Sequence, residues 1–310
     1  MTEAAVFRRN VSPPTSTDHD GSDTRKDAPT YQMVPVGGSR EMLVRVSGGE
    51  VIIFSVDTQV CEFGLDSSPP STAPANQVVL NHQAETERQL TLHGRSVGRT
   101  QLIAVDLRGK ILDRLTVSVK SERLVTYNVH CLQDLRRKTT RTLNDLNIIM
   151  LTVEKVYLRQ ANIRLQKVHE RPMTFVPEDL GDPIDTGDRS TPVHERKVVK
   201  AIENTLERLG MKRQRVNFVS TWNLTSRNQD LLGQTLPVVG GMTCLVEAHD
   251  RALEEATTWA HELGHSLGLK HDGHPSFHLM NGTGQSSFMM SGVDIDEIND
   301  TGMHFHVAPP

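Results

Sequence analysis

The chain of 310 residues has only three cysteines, Cys61, Cys131 and Cys244, and few aromatics, at 4%. So odd and sparse a set is a poor disulfide framework. Buried free thiols are expected, and a disulfide-stapled secreted scaffold is excluded. No apolar run approaches the length that crosses a bilayer, so membrane insertion is not expected. Charge of either sign is not in excess: the net charge is −4 and the pI is near 6.4. That balance speaks against nucleic acid or an anionic membrane as the main partner. The first thirty residues contain Ser12-Pro-Pro-Thr-Ser-Thr-Asp-His-Asp-Gly-Ser-Asp23 and no apolar h-region. No signal peptide is recognised, so a cytoplasmic location, or export by a leaderless route, is expected. Residues 1–30 are too polar to offset their ordering entropy and read as a disordered tail.

What is present divides into two periods. From about 31 to 120 the apolar residues alternate at the strand period: Met42, Val44 and Val46, then Val51 to Val56, Leu90 and Leu92, Leu102 to Val105, and Leu112 to Val119. Short strands with glycine-bearing turns and no helical stretch predict a small β-sandwich over 31–120. It is loosely similar to the bacterial immunoglobulin-like domains. Beyond it, 121–310 reads as mixed α/β. Leu124 to Leu132 is a strand. Asp134 to Arg159 has helical spacing through Leu135, Leu143, Leu146, Ile149, Met150, Val153 and Tyr157. A second helix is predicted from about Val193 to Leu209, with strands over 216–221 and within 236–247.

The chemistry concentrates in His261-Glu-Leu-Gly-His-Ser-Leu-Gly-Leu-Lys-His271. A helix from about Asp250 places Ala256, Trp259, Ala260, Leu263 and Leu267 on one apolar stripe, and His261 and His265 on the other side. Two histidines at i and i+4 stack one turn apart, within reach of one metal ion. Glu262 is offset by one residue and reaches a metal-bound water rather than the metal. Gly268 permits the left-handed turn that ends the helix and brings His271 round as a third ligand.

These eleven residues match His-Glu-x-x-His-x-x-Gly-x-x-His, and the chain is thereby similar to the metzincin zinc peptidases, with matrixin-like and adamalysin-like traits. Asp272 after His271 is one such trait. The resemblance implies an α+β fold: a zincin-type catalytic domain with a mixed twisted sheet and an active-site helix, preceded by the small all-β sandwich. It implies a zinc metalloendopeptidase holding Zn2+ through His261, His265 and His271, with Glu262 as general base and acid. The methionine turn it implies would use Met280, or else Met290. A peptide or protein substrate would lie along Gly241, Met242 and Thr243, with Pro275, Phe277, Leu279 and Phe288 as candidate pocket walls. The oligomeric state is open. Two other readings stand beside it. In one, the chain is a catalytically inert binding or docking protein whose β-sandwich carries recognition. In the other, Glu297 replaces His271 as the third ligand.

Overall fold

The computed structural model describes residues 7–8, 17, 19–23, 30–46, 49–65, 77–82, 86–187, 197–210, 216–226, 229–238, 241–248, 252–271, 278–281 and 287–300. The strands are β1 (Phe7–Arg8), β2 (Ser22–Asp23), β3 (Thr30–Pro35), β4 (Ser39–Val46), β5 (Gly49–Ser55), β6 (Cys61–Leu65), β7 (Gln77–His82), β8 (Thr86–Gly94), β9 (Gly98–Asp106), β10 (Ile111–Lys120), β11 (Arg123–Gln133), β12 (Ile163–Phe175), β13 (Ile184–Asp185), β14 (Val216–Thr221), β15 (Leu224–Ser226), β16 (Gln229–Leu231), β17 (Gly233–Val238) and β18 (Gly241–Glu247). The helices are α1 (Leu143–Ala161), α2 (Lys197–Arg208), α3 (Ala252–Ser266) and α4 (Gly292–Asp300). The chain divides into two compact units. The first comprises Met1–Glu122 with Arg159–Asn162 and Met289–Asn299, and the second the remainder.

The first unit is a two-sheet sandwich, with strand orders β1-β4-β8-β6 and β2-β3-β10-β9-β5-β7. Alternation explains it. Met42, Val44 and Val46 on β4, and Leu102 and Ala104 on β9, point into one core with Leu90, Leu92, Leu115, Val117 and Val119. Within 1–30, Phe7 and Arg8 pair with Val44 and Leu43, and Phe7 is buried. An apolar side chain at an otherwise polar end finds a place in the core.

The second unit holds a five-stranded sheet, β12-β11-β14-β18-β17, and a small sheet, β13-β15-β16. In the larger sheet β12, β11, β14 and β18 run parallel and β17 antiparallel. One face carries Tyr127 and Phe218, which meet edge to face at 5.6 Å, and Phe218 packs on Trp259 of α3 at 5.0 Å. On the other face Leu132, Val219 and Leu245 pack with Val199, Ile202 and Leu206 of α2.

Helix α1 starts nine residues after the predicted Asp134. The Thr142 hydroxyl accepts the Asp145 amide at 3.3 Å, and the Asp145 carboxylate accepts the Thr142 amide at 2.8 Å, which forms a capping box. Asp134 instead accepts the amides of Arg136, Arg137 and Leu180 and fastens a loop.

The expected fold class is corrected. Among the described residues strand outweighs helix, at 49% against 24%, and these are mostly β rather than an α+β zincin-type catalytic fold. Helical periodicity covers only a few segments, whereas strand pairing runs through both units.

Burial in the second sheet sets a pH dependence. His130 on β11 is fully buried, with Nδ1 2.9 Å from the Thr174 hydroxyl. Burial, opposed by a hydrogen bond to Asn217 and aided by the charges of Arg171 and His169, pushes the imidazole down to about 4 from 6.5. The unfolded chain takes up a proton near 6.5 while the folded protein resists until about 4. Stability from this group is therefore full above 6.5 and is lost as pH falls from 6.5 towards 4. Urea unfolding of metal-free protein should lose up to about 3 kcal/mol across that window, at about 1.4 kcal/mol per pKa unit. His130→Gln should flatten the profile there; an unchanged slope would show that His130 does not set it.

Candidate metal centre

Helix α3 carries the site. Ala256, Trp259, Ala260, Leu263 and Leu267 are all buried. His261 and His265 keep partial exposure on the other side, one turn apart, and their ring centroids are 4.7 Å apart. The helix ends in a Schellman arrangement. The Leu269 amide donates to the Gly264 carbonyl and the Gly268 amide to the His265 carbonyl, both at 3.0 Å, with Gly268 at φ 101°. A side chain at that φ would be strained, so glycine makes the reversal available.

The reversal delivers His271, which is exposed, to the other two. Its Nε2 lies 2.8 Å from Nε2 of His261 and 2.9 Å from Nε2 of His265. Among the described residues this is the group of His, Cys, Asp or Glu side chains close enough to share one metal ion. The tautomers are set from behind. His261 Nδ1 donates to the Leu279 carbonyl at 2.7 Å, and His265 Nδ1 to the Leu269 carbonyl at 2.8 Å. With each Nδ1 carrying the proton, the Nε2 lone pairs converge on one point. Three neutral imidazoles are a donor set that zinc accepts.

Met280 is fully buried beneath this helix. A Cβ at Gly264 would overlap its sulfur and stand 3.1 Å from its Cε, so glycine there makes room for it. Met290 is buried elsewhere. Its amide donates to Gln160 Oε1 at 2.8 Å, within the first unit. The two methionines left open by sequence thus occupy different units.

Glu262 is buried, 5% exposed. The Thr235 hydroxyl on β17 lies 2.6 Å from its Oε2 and 2.8 Å from its main-chain oxygen. Burial pushes the carboxyl up to about 7 from 4.5, and hydrogen bonding from Thr235 pulls against that rise. Gly233 completes the cradle: a Cβ there would stand 2.9 Å from Glu262 Cγ and 3.0 Å from its Oε1. Thr235 and Gly233 escape the sequence reading, because nothing in the chain marks β17 as the strand beside α3.

The residues predicted to line a substrate are placed differently. Gly241, Met242 and Thr243 lie on β18, which is hydrogen-bonded to β14 on one side and β17 on the other. An interior strand has no main-chain edge left for an added peptide, so this assignment is corrected. Leu279 and Phe288, proposed as pocket walls, are buried. Asp250, Asp272, Pro275 and Phe277 lie outside the described residues. Cys61, Cys131 and Cys244 are free and buried, and burial pushes Cys61 and Cys244 up to about 12.

A family model described as "Pilus formation protein N terminal region" matches residues 65–120. No curated protein matches the chain. Among solved structures, domains 4 and 5 of the S-layer protein SbsC match at 17% identity over 32% of this chain and 51% of that one, with a TM-score of 0.22. The chain therefore spans about half of that structure. A C. elegans MSP family member, WR4, matches at 8% identity over 33% of this chain and 97% of that one, TM-score 0.19. The ASH/PapD-like domain 7 of human CEP192 matches at 15% identity over 36% and 91%, TM-score 0.17. The metzincin resemblance and the zinc-endopeptidase activity are corrected by the pilus-formation match. The β-sandwich is the part of the expectation that fits. No helix is long and apolar enough to cross a membrane among the described residues.

The Thr235 contact yields a stability test. Thr235→Val leaves a buried carboxyl without its hydroxyl partner and should cost roughly 1–3 kcal/mol in urea unfolding of metal-free protein. Thr235→Ser should restore most of that. Equal stability of the valine variant and the wild type would show that the hydroxyl is not needed.

Proposed function

We propose that this chain is a docking protein of a cell-envelope assembly, with recognition carried by its β-sandwich and a zinc ion held by His261, His265 and His271. The carrying observation is the match of residues 65–120 to a pilus-formation region. That stretch includes β7 to β10: β8 lies inside one sandwich sheet, β9 and β10 inside the other, and β7 at the edge of that second sheet. The partner is a protein of a pilus or secretion assembly, and a periplasmic location follows from that reading.

The sandwich has a suitable contact end. Val56 and Val97 are each 61% exposed. The turn after Val56 is tied to the β8–β9 turn that carries Val97: the Asp57 amide donates to Thr100 Oγ1 at 2.9 Å, and the Ser96 hydroxyl donates to the Gln59 carbonyl at 2.8 Å. Exposed apolar side chains on a hydrogen-bonded platform suit a partner that buries them.

The zinc ion fits because the three Nε2 atoms converge and both helix histidines are oriented by carbonyls. When bound, zinc supplies a positive charge and cross-links the end of α3 to the segment beyond it. The histidines orient and hold; Leu279 and Leu269 keep two of their rings in the right tautomer.

Metal analysis of the purified full chain should find one zinc per molecule. His261→Ala, His265→Ala and His271→Ala should each weaken zinc binding by more than the roughly 10–100-fold typical of losing an outer-shell partner. Co-sedimentation of the full chain with envelope assemblies should fall in a Val56→Arg/Val97→Arg variant whose melting temperature is unchanged. Cleavage of an unfolded protein by the wild type, abolished in Glu262→Ala, would overturn the docking reading.

A further inference from the structure

We propose that the tip of the β9–β10 hairpin is a peripheral membrane anchor: Leu107 and Ile111 enter the apolar edge of an anionic lipid surface while Arg108 and Lys110 meet its phosphates. The inference stands on one hairpin of the sandwich. It needs neither the zinc ion nor the docking partner proposed above.

The tip reads Asp106-Leu-Arg-Gly-Lys-Ile111. Leu107 is 65% exposed and Ile111 42%. Arg108, Gly109 and Lys110 are exposed as well, and so is Arg114 just behind them on β10. A Cβ built on Gly109 would meet nothing within 4 Å, so the apex stands clear of the surrounding chain. Exposed apolar side chains are common one at a time. Here two of them are interleaved with two cations at the apex of a turn, where water alone favours polar residues.

The main chain of the tip is closed on itself. The Asp106 amide donates to the Lys110 carbonyl at 3.0 Å, and the Gly109 amide to the Asp106 carbonyl at 2.9 Å. Asp106 Oδ1 accepts the amides of Arg108 and Lys110, both at 2.9 Å. Gly109, at φ 78°, supplies the left-handed residue that the turn needs. The amides of residues 106, 108, 109 and 110 are thus all bonded within the tip. A peptide group that loses water at a lipid interface costs free energy unless it is already bonded. This turn therefore dehydrates at little cost. The neighbouring acid is also turned to main chain: the Asp113 carboxylate accepts the amides of Phe7 at 2.9 Å and Arg114 at 2.8 Å. Arg108, Lys110 and Arg114 are more exposed than Asp106 and Asp113, so the outward charge of the tip is positive.

Shape selects lipid over protein. A stable protein interface buries roughly 800 Å² on each partner, and a convex apex with two apolar side chains offers far less. A fluid lipid surface deforms around such an apex. Its apolar side chains reach below the phosphates, and the arginine and lysine stems extend back to them. The net charge of −4 opposes adhesion by the remaining surface, so the contact is confined to the tip and a protein stays the main partner. The tip and Val97 lie at opposite ends of β9, which is nine residues long, so the two contacts do not compete.

Co-sedimentation of the full chain with phosphatidylglycerol vesicles and with phosphatidylcholine vesicles tests this. The chain should partition onto the first and scarcely onto the second, and less so as salt screens the phosphates. Arg108→Gln/Lys110→Gln should lower partitioning onto phosphatidylglycerol roughly 25-fold, about fivefold per cation. Leu107→Ser should lower it roughly tenfold. Both variants should keep the wild-type melting temperature. Tryptophan emission from Leu107→Trp should shift to the blue when phosphatidylglycerol vesicles are added. Val56→Ser/Val97→Ser should bind vesicles as the wild type does, which separates this contact from the docking platform. No binding to phosphatidylglycerol vesicles, or binding that the tip variants leave unchanged, would overturn the anchor. Loss of co-sedimentation with lipid-free envelope assemblies in the tip variants, without vesicle binding by the wild type, would assign the tip to a protein partner instead.

Discussion

The packing of α3 against β14, β17 and β18 is the contact on which the candidate site depends. Trp259 lies on Phe218, Ser266 Oγ is 3.1 Å from Cys244 Sγ, and Thr235 meets Glu262. These contacts fix the rotation of the helix about its axis. Once Trp259 and Leu263 are buried, His261 and His265 must emerge on the opposite side, because 3.6 residues per turn leave no other choice. Arg141 and Glu255 add a buried ion pair at 2.6 Å, with the Trp259 indole donating to the same carboxylate. A charge buried so deeply is tolerable only when paired, and this pair anchors α3 to the approach of α1.

The same accounting explains how the first unit closes. The inner half of β10 is wholly buried, including the polar Ser118 and Lys120. Polar groups removed from water need partners. Asp296 supplies them from a helix far downstream, 178 residues beyond Ser118. The sandwich is thus completed by chain that does not belong to its contiguous sequence: Asn162 caps α1 in the left-handed region at φ 55° and donates to the Lys120 carbonyl at 2.9 Å.

Much of the local structure is legible in the sequence. Period-two alternation marks β4, β8, β9 and β10, and the apolar stripe of α3 can be placed on a wheel. The boundaries of α1 were harder to read, since Asp134 and the Thr142–Asp145 pair are both plausible helix starts and only the loop to Leu180 assigns Asp134 elsewhere. Helix α4 escapes notice altogether, although Ser291 and Asp294 form a recognisable cap and Ile295 and Ile298 a short buried stripe. An eleven-residue motif describes one helix end and three neighbouring histidines, and it carries no information on the other residues of the chain or on what the sandwich meets.

The sequence by itself determined the features that depend on neighbours a few residues apart. His261 and His265 stand one turn apart, Gly268 ends the helix, and residues 39–120 are a set of strands. Only the tertiary structure decided which strand lies beside α3, that Met280 rather than Met290 underlies it, that Gly241 to Thr243 sit in the sheet interior, and that α4 belongs to the first unit. Each of these follows from strand order and from long-range packing. Such pairings are chosen by competition for burial and hydrogen bonds across the whole chain, and the local pattern at either partner does not reveal the other.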